Sequence, residues 1–168
     1  MLGSSDGGMK FAVEKGLGFV FAAHIAPHLA VPMLRAYREN FKPSLYMSAP
    51  KSILSTIVIT AETDEEAEYL AGPVELFWTR LVTGQTELPI RTLDEASSHV
   101  YSPAEVSARR ENKTRFVIGS VEKVVAKLIS LATEALVDEI MMMDFYTKTF
   151  DGHKGYRLLA EEFGLSVK

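Results

Sequence analysis

Apolar runs and helical repeats alternate from one end of the chain to the other. Met1 and Leu2 read as the close of a strand, polar Gly3 to Gly8 as the turn after it, and Met9 to Lys15 as a short helix. Phe19 to Ala23 is apolar throughout and short enough for a fully buried strand. His28 to Phe41 places Leu29, Pro32, Met33, Ala36 and Tyr37 at helical spacing. The clearest strand signal is Ile53 to Ala61, where Ile57, Val58, Ile59 and Thr60 are β-branched.

A capping box follows: Thr63 can accept from the amide of Glu66 while Glu66 reaches back to Thr63. The helix it opens repeats Ala67, Leu70, Ala71, Val74, Phe77 and Leu81, and Gly72-Pro73 predicts a kink or a break in it. Gly84 to Val100 is polar and rich in turn residues, which predicts a surface excursion. Ser102 with Glu105 forms a second capping box with Pro103 at the first helical position, opening a helix to Asn112. Ser120 caps a helix through Ala135, and Asp138 to Tyr146 holds a last strand in which Met141, Met142 and Met143 are expected to be buried. Asp144 ends that strand, either pointing into a pocket or capping the next turn. Asp151 starts a final helix that stops at Gly164.

Strand and helix thus repeat four times, with an insertion at about 84–116 before the last unit. Continuously apolar strands separated by helices predict an α/β fold with a parallel sheet covered on its faces. A complete (β/α)8 barrel of the TIM type needs ~250 residues, so residues 1–168 are read as a single half-barrel domain.

Composition narrows the possible chemistry. The hydrophobic fraction of 47% and charged fraction of 24% are those of a globular chain, and with no cysteine there is no thiolate nucleophile and no zinc–thiolate site. A net charge of −4 without a dense basic face argues against nucleic acid. The most apolar run, Leu17 to Val31, is broken by His24, Pro27 and His28 and is too short for a bilayer. The N-terminus lacks the pattern of a signal peptide, which points to a cytoplasmic protein without a membrane partner.

The candidate chemistry lies in Gly3-Ser4-Ser5-Asp6-Gly7-Gly8. A strand-to-helix junction offers unpaired amides and the positive end of a helix dipole; glycine lets a phosphate approach and serine adds donors. The alternative is a glycine-rich turn in which Ser or Asp merely caps its own helix. Asp6 is discordant beside a phosphate unless its side chain turns away. The loop is neither a Walker motif nor the dinucleotide fingerprint. His24, at the C-terminal end of a strand, is either a pocket group or a core histidine. His24 and His28 are separated by Ala26-Pro27 without a metalloprotease glutamate, so no metal site is expected. Phe77 and Trp78 read as packing residues. Asp64, Glu65, Glu66 and Glu68 read as a solvated first helical turn.

Several segments in sequence resemble one family. Leu2-Gly3-Ser4-Ser5 and then Gly16-Leu17-Gly18-Phe19-Val20-Phe21-Ala22-Ala23-His24 are similar to the middle of luciferase-like flavin monooxygenases. The likeness continues through Leu34 to Arg38, Phe41 to Ser44, Ala61 to Glu68, Ala71-Gly72-Pro73, Tyr101 to Glu105, Ile118 to Val124 and Leu158 to Gly164. The resemblance covers essentially the whole chain but only the C-terminal half of the family's barrel. It implies reduced FMN supplied by a separate reductase, O₂, and a small organic substrate. It also implies that Leu2, Gly3, Ser4 and Ser5, with Gly7 and Gly8, hold the FMN phosphate. Gly8 stands where the family often has Ser or Thr, and Ala23 replaces the first of two histidines of which His24 matches the second. A half-barrel leaves edges open, so a homo-oligomer or a complementary N-terminal half is the expected partner. The alternative function is a half-barrel that binds FMN or another phosphate without turnover, or serves as an assembly partner.

Overall fold

Strands and helices alternate in the computed structural model except between β3 and β4, where several helices follow one another; it describes residues 1–165. These fall into two units: Met1–Ile57 with Ala126–Met143, and Val58–Val125 with the chain from Asp144 on. Strand β3 (Ser52–Ala61) and helix α6 (Val121–Ala135) run from one unit into the other.

The first unit holds β1 (Leu2–Gly3), β2 (Phe19–Ala22), the start of β3 and β5 (Glu139–Met143), all parallel. The register sets Leu2 beside Val20, Phe21 beside Leu54, and Leu54 beside Ile140. Three helices contribute to its core: α1 (Asp6–Lys15) through Met9, Ala12 and Val13, α2 (Pro27–Asn40) through Ala30, Leu34 and Tyr37, and the end of α6 through Ala135. Leu34, Tyr37, Phe21 and Leu54 are fully buried, each worth about 1.5–3 kcal/mol of apolar burial. Gly16 ends α1 in the left-handed conformation (φ 58°), its amide bonded to carbonyls of the last turn.

The parallel pairing is as expected, but the Met run is not buried. Strand β5 pairs with β3 alone among the described strands, Met141 is 46% exposed, and Met142 and Met143 are half-buried. At the other edge Leu2 is 64% exposed.

The second unit contains the end of β3, α3 (Asp64–Val82), α4 (Leu93–Ser97), α5 (Pro103–Asn112), a 3-10 turn (Lys113–Arg115), β4 (Phe116–Ser120) and α7 (Thr149–Glu162). Helix α3 is neither broken nor ended by Gly72-Pro73; Ala71, Pro73, Val74 and Leu76 are buried around most of its circumference there, which holds the helix through the proline. Thr63 caps it as expected, accepting from the Glu66 amide at 3.1 Å, but Glu66 turns instead to Lys154, 3.0 Å away. Two elements go beyond the expectation: α4 lies inside the excursion predicted for Gly84 to Val100, and β4 lies after it, where no strand is predicted. Helix α4 is opened by a complete Thr92–Glu95 capping box, and β4 pairs with β3, with Thr60 Oγ1 donating to the Gly119 carbonyl at 3.1 Å. The Ser102–Glu105 box forms as predicted. No described helix is long and apolar enough to cross a membrane.

Candidate functional site

The sequence places a loop over Gly3 to Gly8; in the structure the helix already starts at Asp6. Ser5 is its N-cap, extended at φ −146° and ψ 165°, with Oγ accepting from the Gly8 amide at 3.5 Å. Its carbonyl takes the Met9 amide at 3.2 Å. Such a cap is worth ~1 kcal/mol, enough to offset much of the cost of a glycine in the first turn. Gly7 and Gly8 are thus helical, and the capping alternative holds for Ser5.

The same geometry keeps the junction open to a ligand. A Cβ on Gly3 would meet the Phe19 ring at 3.4 Å and the Gly8 Cα at 3.5 Å, ordinary contact distances, so strand end and helix start lie side by side. A Cβ on Gly7 would meet only Ser5 Oγ, 3.9 Å away. The first-turn amides of Asp6 and Gly7 have no acceptor within their own helix, and no side chain of Gly7 stands over them. Asp6, the discordant carboxylate, is turned along the helix to Lys10 at 2.6 Å. The hydrogen bond and charge of Asp6 raise the Lys10 ammonium above its ordinary value. That partner was legible as an i, i+4 pair. The residues present therefore fit a phosphate: small at the approach, donor-rich, with the one acid neutralised.

Because Gly3 stands beside Phe21 in the register, Ser4 and Ser5 leave the sheet next to the segment Ala22–His24. Ala22 and Ala23 are buried, and the Ala23 amide donates to the Ser55 carbonyl at 2.8 Å. His24 follows in the turn, half-buried. Leu2 contributes backbone pairing while its side chain stays exposed. His28 sits apart, exposed in the first turn of α2, and no cluster of metal-ligating side chains occurs among the described residues. Asp144 is exposed; burial first, and then the bond to Asp144, pushes the Tyr156 phenol up.

Sequence reasoning missed Tyr146 entirely. Its hydroxyl donates to the Thr60 carbonyl at 3.0 Å and accepts from the Thr60 amide at 2.8 Å. Gly155 leaves room for that hydroxyl. Two glycines a turn apart in α7, Gly152 and Gly155, were the available signal.

No family model matches the chain. It is 32% identical over 171 residues to the Luciferase-like monooxygenase of Escherichia coli (strain K12), covering 100% of this chain and 48% of that protein. Among solved structures, apo-MsnO8 superposes with a TM-score of 0.88 at 28% identity, over 99% of this chain and 51% of the other. The oxygenating constituent of 3,6-diketocamphane monooxygenase from Pseudomonas putida, solved in complex with FMN, superposes with a TM-score of 0.57 over 96% of this chain and 46% of the other. At 18% identity that likeness concerns the fold alone. The chain spans about half the length of the relatives it matches.

Proposed function

The chain belongs to the luciferase-like flavin-dependent monooxygenases, matching the C-terminal half of their barrel, and from that premise we propose that it holds FMN by its phosphate at the Gly3–Ser5 turn. The observation that carries this reading is the glycine-lined start of α1, where Ser5 caps, Asp6 turns to Lys10, and nothing covers Gly7. Ser4 and Ser5 would supply hydroxyls, and Asp6, Gly7 and Gly8 their amides, at the positive end of the helix. Reduced FMN, delivered by a separate reductase, would supply the oxygen chemistry toward a small organic substrate. The chain's own part is to orient: Ala22 and Ala23 form a wall of small side chains and His24 offers a hydrogen-bonding ring beside it. The setting is cytoplasmic, and residues 1–168 act as one half-barrel.

The second reading, binding or assembly without turnover, is favoured by the exposed edges at Leu2 and Met141. They suit a second copy or a complementary N-terminal half, which would provide the opposite wall. A fluorescence-quenching titration of FMN tests the phosphate site: Ser5→Asp is expected to weaken binding severalfold or more by charge repulsion, and unchanged affinity would put the phosphate elsewhere. Oxygen uptake coupled to product formation, against free reduced FMN, separates the two readings.

A further inference from the structure

The buried charged side chains among the described residues are Glu75, Arg80 and Glu105, all in the second unit. Two of them are answered. Glu75 Oε2 accepts from Arg109 Nε at 2.9 Å and Nη2 at 2.5 Å. Glu105 accepts the Ser102 amide at 2.9 Å and faces His99 Nε2 at 3.3 Å. Arg80 is 8% exposed, its Nε is fully buried without a hydrogen-bond partner, and no described carboxylate forms an ion pair with it.

A guanidinium cannot escape burial by losing its proton. Its desolvation is costly, and its place in the last turn of α3 returns only part of that cost through the helix dipole. Water could accept from Nε but would leave the charge unanswered. The neighbouring unmet capacity has the same sense: on α5, which Arg109 ties to α3, Asn112 Nδ2 is another buried donor without an acceptor, and the Thr79 hydroxyl beside Arg80 is also unpartnered. Tyr101 lies within the field of all these charged groups: burial raises its phenol, Arg109 draws it back, Glu75 and Glu105 push it up, and Arg80 draws it back again. Glu75 and Glu105 are committed to other partners, and Arg80 Nε and Asn112 Nδ2 remain buried donors without an acceptor.

We propose that Arg80 forms the floor of a small-oxyanion site at the C-terminal end of α3, taking phosphate, sulfate or a carboxylate of similar size. The site is independent of the turn at Ser5, so either can fail without the other.

The test is thermal unfolding of the full chain in sodium phosphate and in sodium sulfate, each against sodium chloride at matched ionic strength. Wild type is expected to show a saturable rise in Tm over chloride, about 3–6 °C at ten times the dissociation constant. Arg80→Met keeps the volume and removes the charge. It is expected to melt in chloride at or above wild type, since replacing an uncompensated buried charge by an apolar side chain does not destabilise, and to lose the anion-specific rise. Arg80→Lys should keep a smaller rise; every comparison is repeated in the Ser5→Asp background, so that an anion held at the Ser5 turn does not contribute. The proposal is overturned if wild type shows no saturable rise, or if Arg80→Met keeps it. It is equally overturned if Arg80→Met melts several degrees below wild type in chloride, because a protein group would then already answer the guanidinium. Failure of Arg80→Met to fold counts as that same overturning result, and the wild-type and Arg80→Lys titrations test the anion response on their own.

Discussion

The two units are stabilised by different physics. In the first, rings and aliphatic side chains interlock: Phe19 lies 5.5 Å from Tyr37 and 6.0 Å from Phe21, and Tyr37 lies 5.7 Å from Phe41. The polar groups among them are few, with Tyr37 Oη bonded to Leu17 O and both backbone groups of Lys51, and Arg38 with Asp138 at 2.7 Å. In the second unit, ions and caps recur along α3. Asp64 takes Lys123 and the Ser120 amide, Glu75 takes Arg109, Lys154 bridges Glu62 and Glu66, and Arg115 stacks 5.0 Å from Trp78. Packing should therefore govern the stability of the first unit, and charge state that of the second.

The hardest blow to this contrast is steric. A Cβ on Gly16 would stand 2.5 Å from Ser44 Cβ and 2.6 Å from the Lys42 carbonyl, at a positive φ. Gly16→Val is expected to cost about 3 kcal/mol in urea unfolding, insensitive to salt. Gly84 also has a positive φ (83°) but nothing within 4 Å. Gly84→Ala should cost only about 1 kcal/mol, and equal losses would show that conformation, not contact, decides. Next come the two phenols. Tyr37→Phe removes three hydrogen bonds, with the Leu17 carbonyl and both backbone groups of Lys51, beside the aromatic core and should cost about 2 kcal/mol; Tyr146→Phe, which removes two at a half-buried position, should cost about 1 kcal/mol. The reverse order in denaturant titrations would place the polar weight in the wrong unit.

The smallest effect concerns pH. The Lys123 ammonium and the Ser120 amide hold Asp64 below the ordinary carboxylate range; the Thr92 amide and hydroxyl do the same for Glu95. The Ser102 amide lowers Glu105 against its burial. In the first unit, burial pushes Asp138 up, but the Ser52 amide and Arg38 outweigh it and hold it low. A depressed carboxylate stabilises above its unfolded value, and that stability is lost as pH falls through the folded value. The second unit, with three such groups against one, is expected to open first below about pH 4. Amide exchange at Val74 should then quicken before exchange at Phe21, and simultaneous opening would erase the contrast.

The same division explains what could be read beforehand. The strand at Ser52–Ala61 and the faces of α1, α2 and α3 were legible because burial imposes periodicity on neighbours in sequence. The start of α1 was misplaced because two glycines outweighed the Ser5 cap in the reading, although the cap decides the structure. Helix α4 carried its Thr92–Glu95 signature in plain view but is only five residues long. Strand β4 was hidden by Gly119 and Ser120, and its role comes from pairing with β3. At the candidate site the small residues, the serines and the i, i+4 spacing of Asp6 and Lys10 were visible, whereas the start of the helix at Asp6 was not. Arg80 could not have been found, since an unanswered charge is defined by everything around it.

Both ends of β3 wait for residues far along the chain. The Ser52 amide is satisfied by Asp138 and the Thr60 amide by Tyr146, each 86 positions later. At ribosomal rates of ~5–20 residues per second, that separation is roughly 4–17 s of synthesis. During that interval a strand of Ile, Leu, Val and Thr has emerged with its terminal amides still open. A nascent chain stalled between Leu93 and Asp138 should therefore be the form most readily captured by a holdase chaperone, and release should follow once Tyr146 has cleared the exit tunnel.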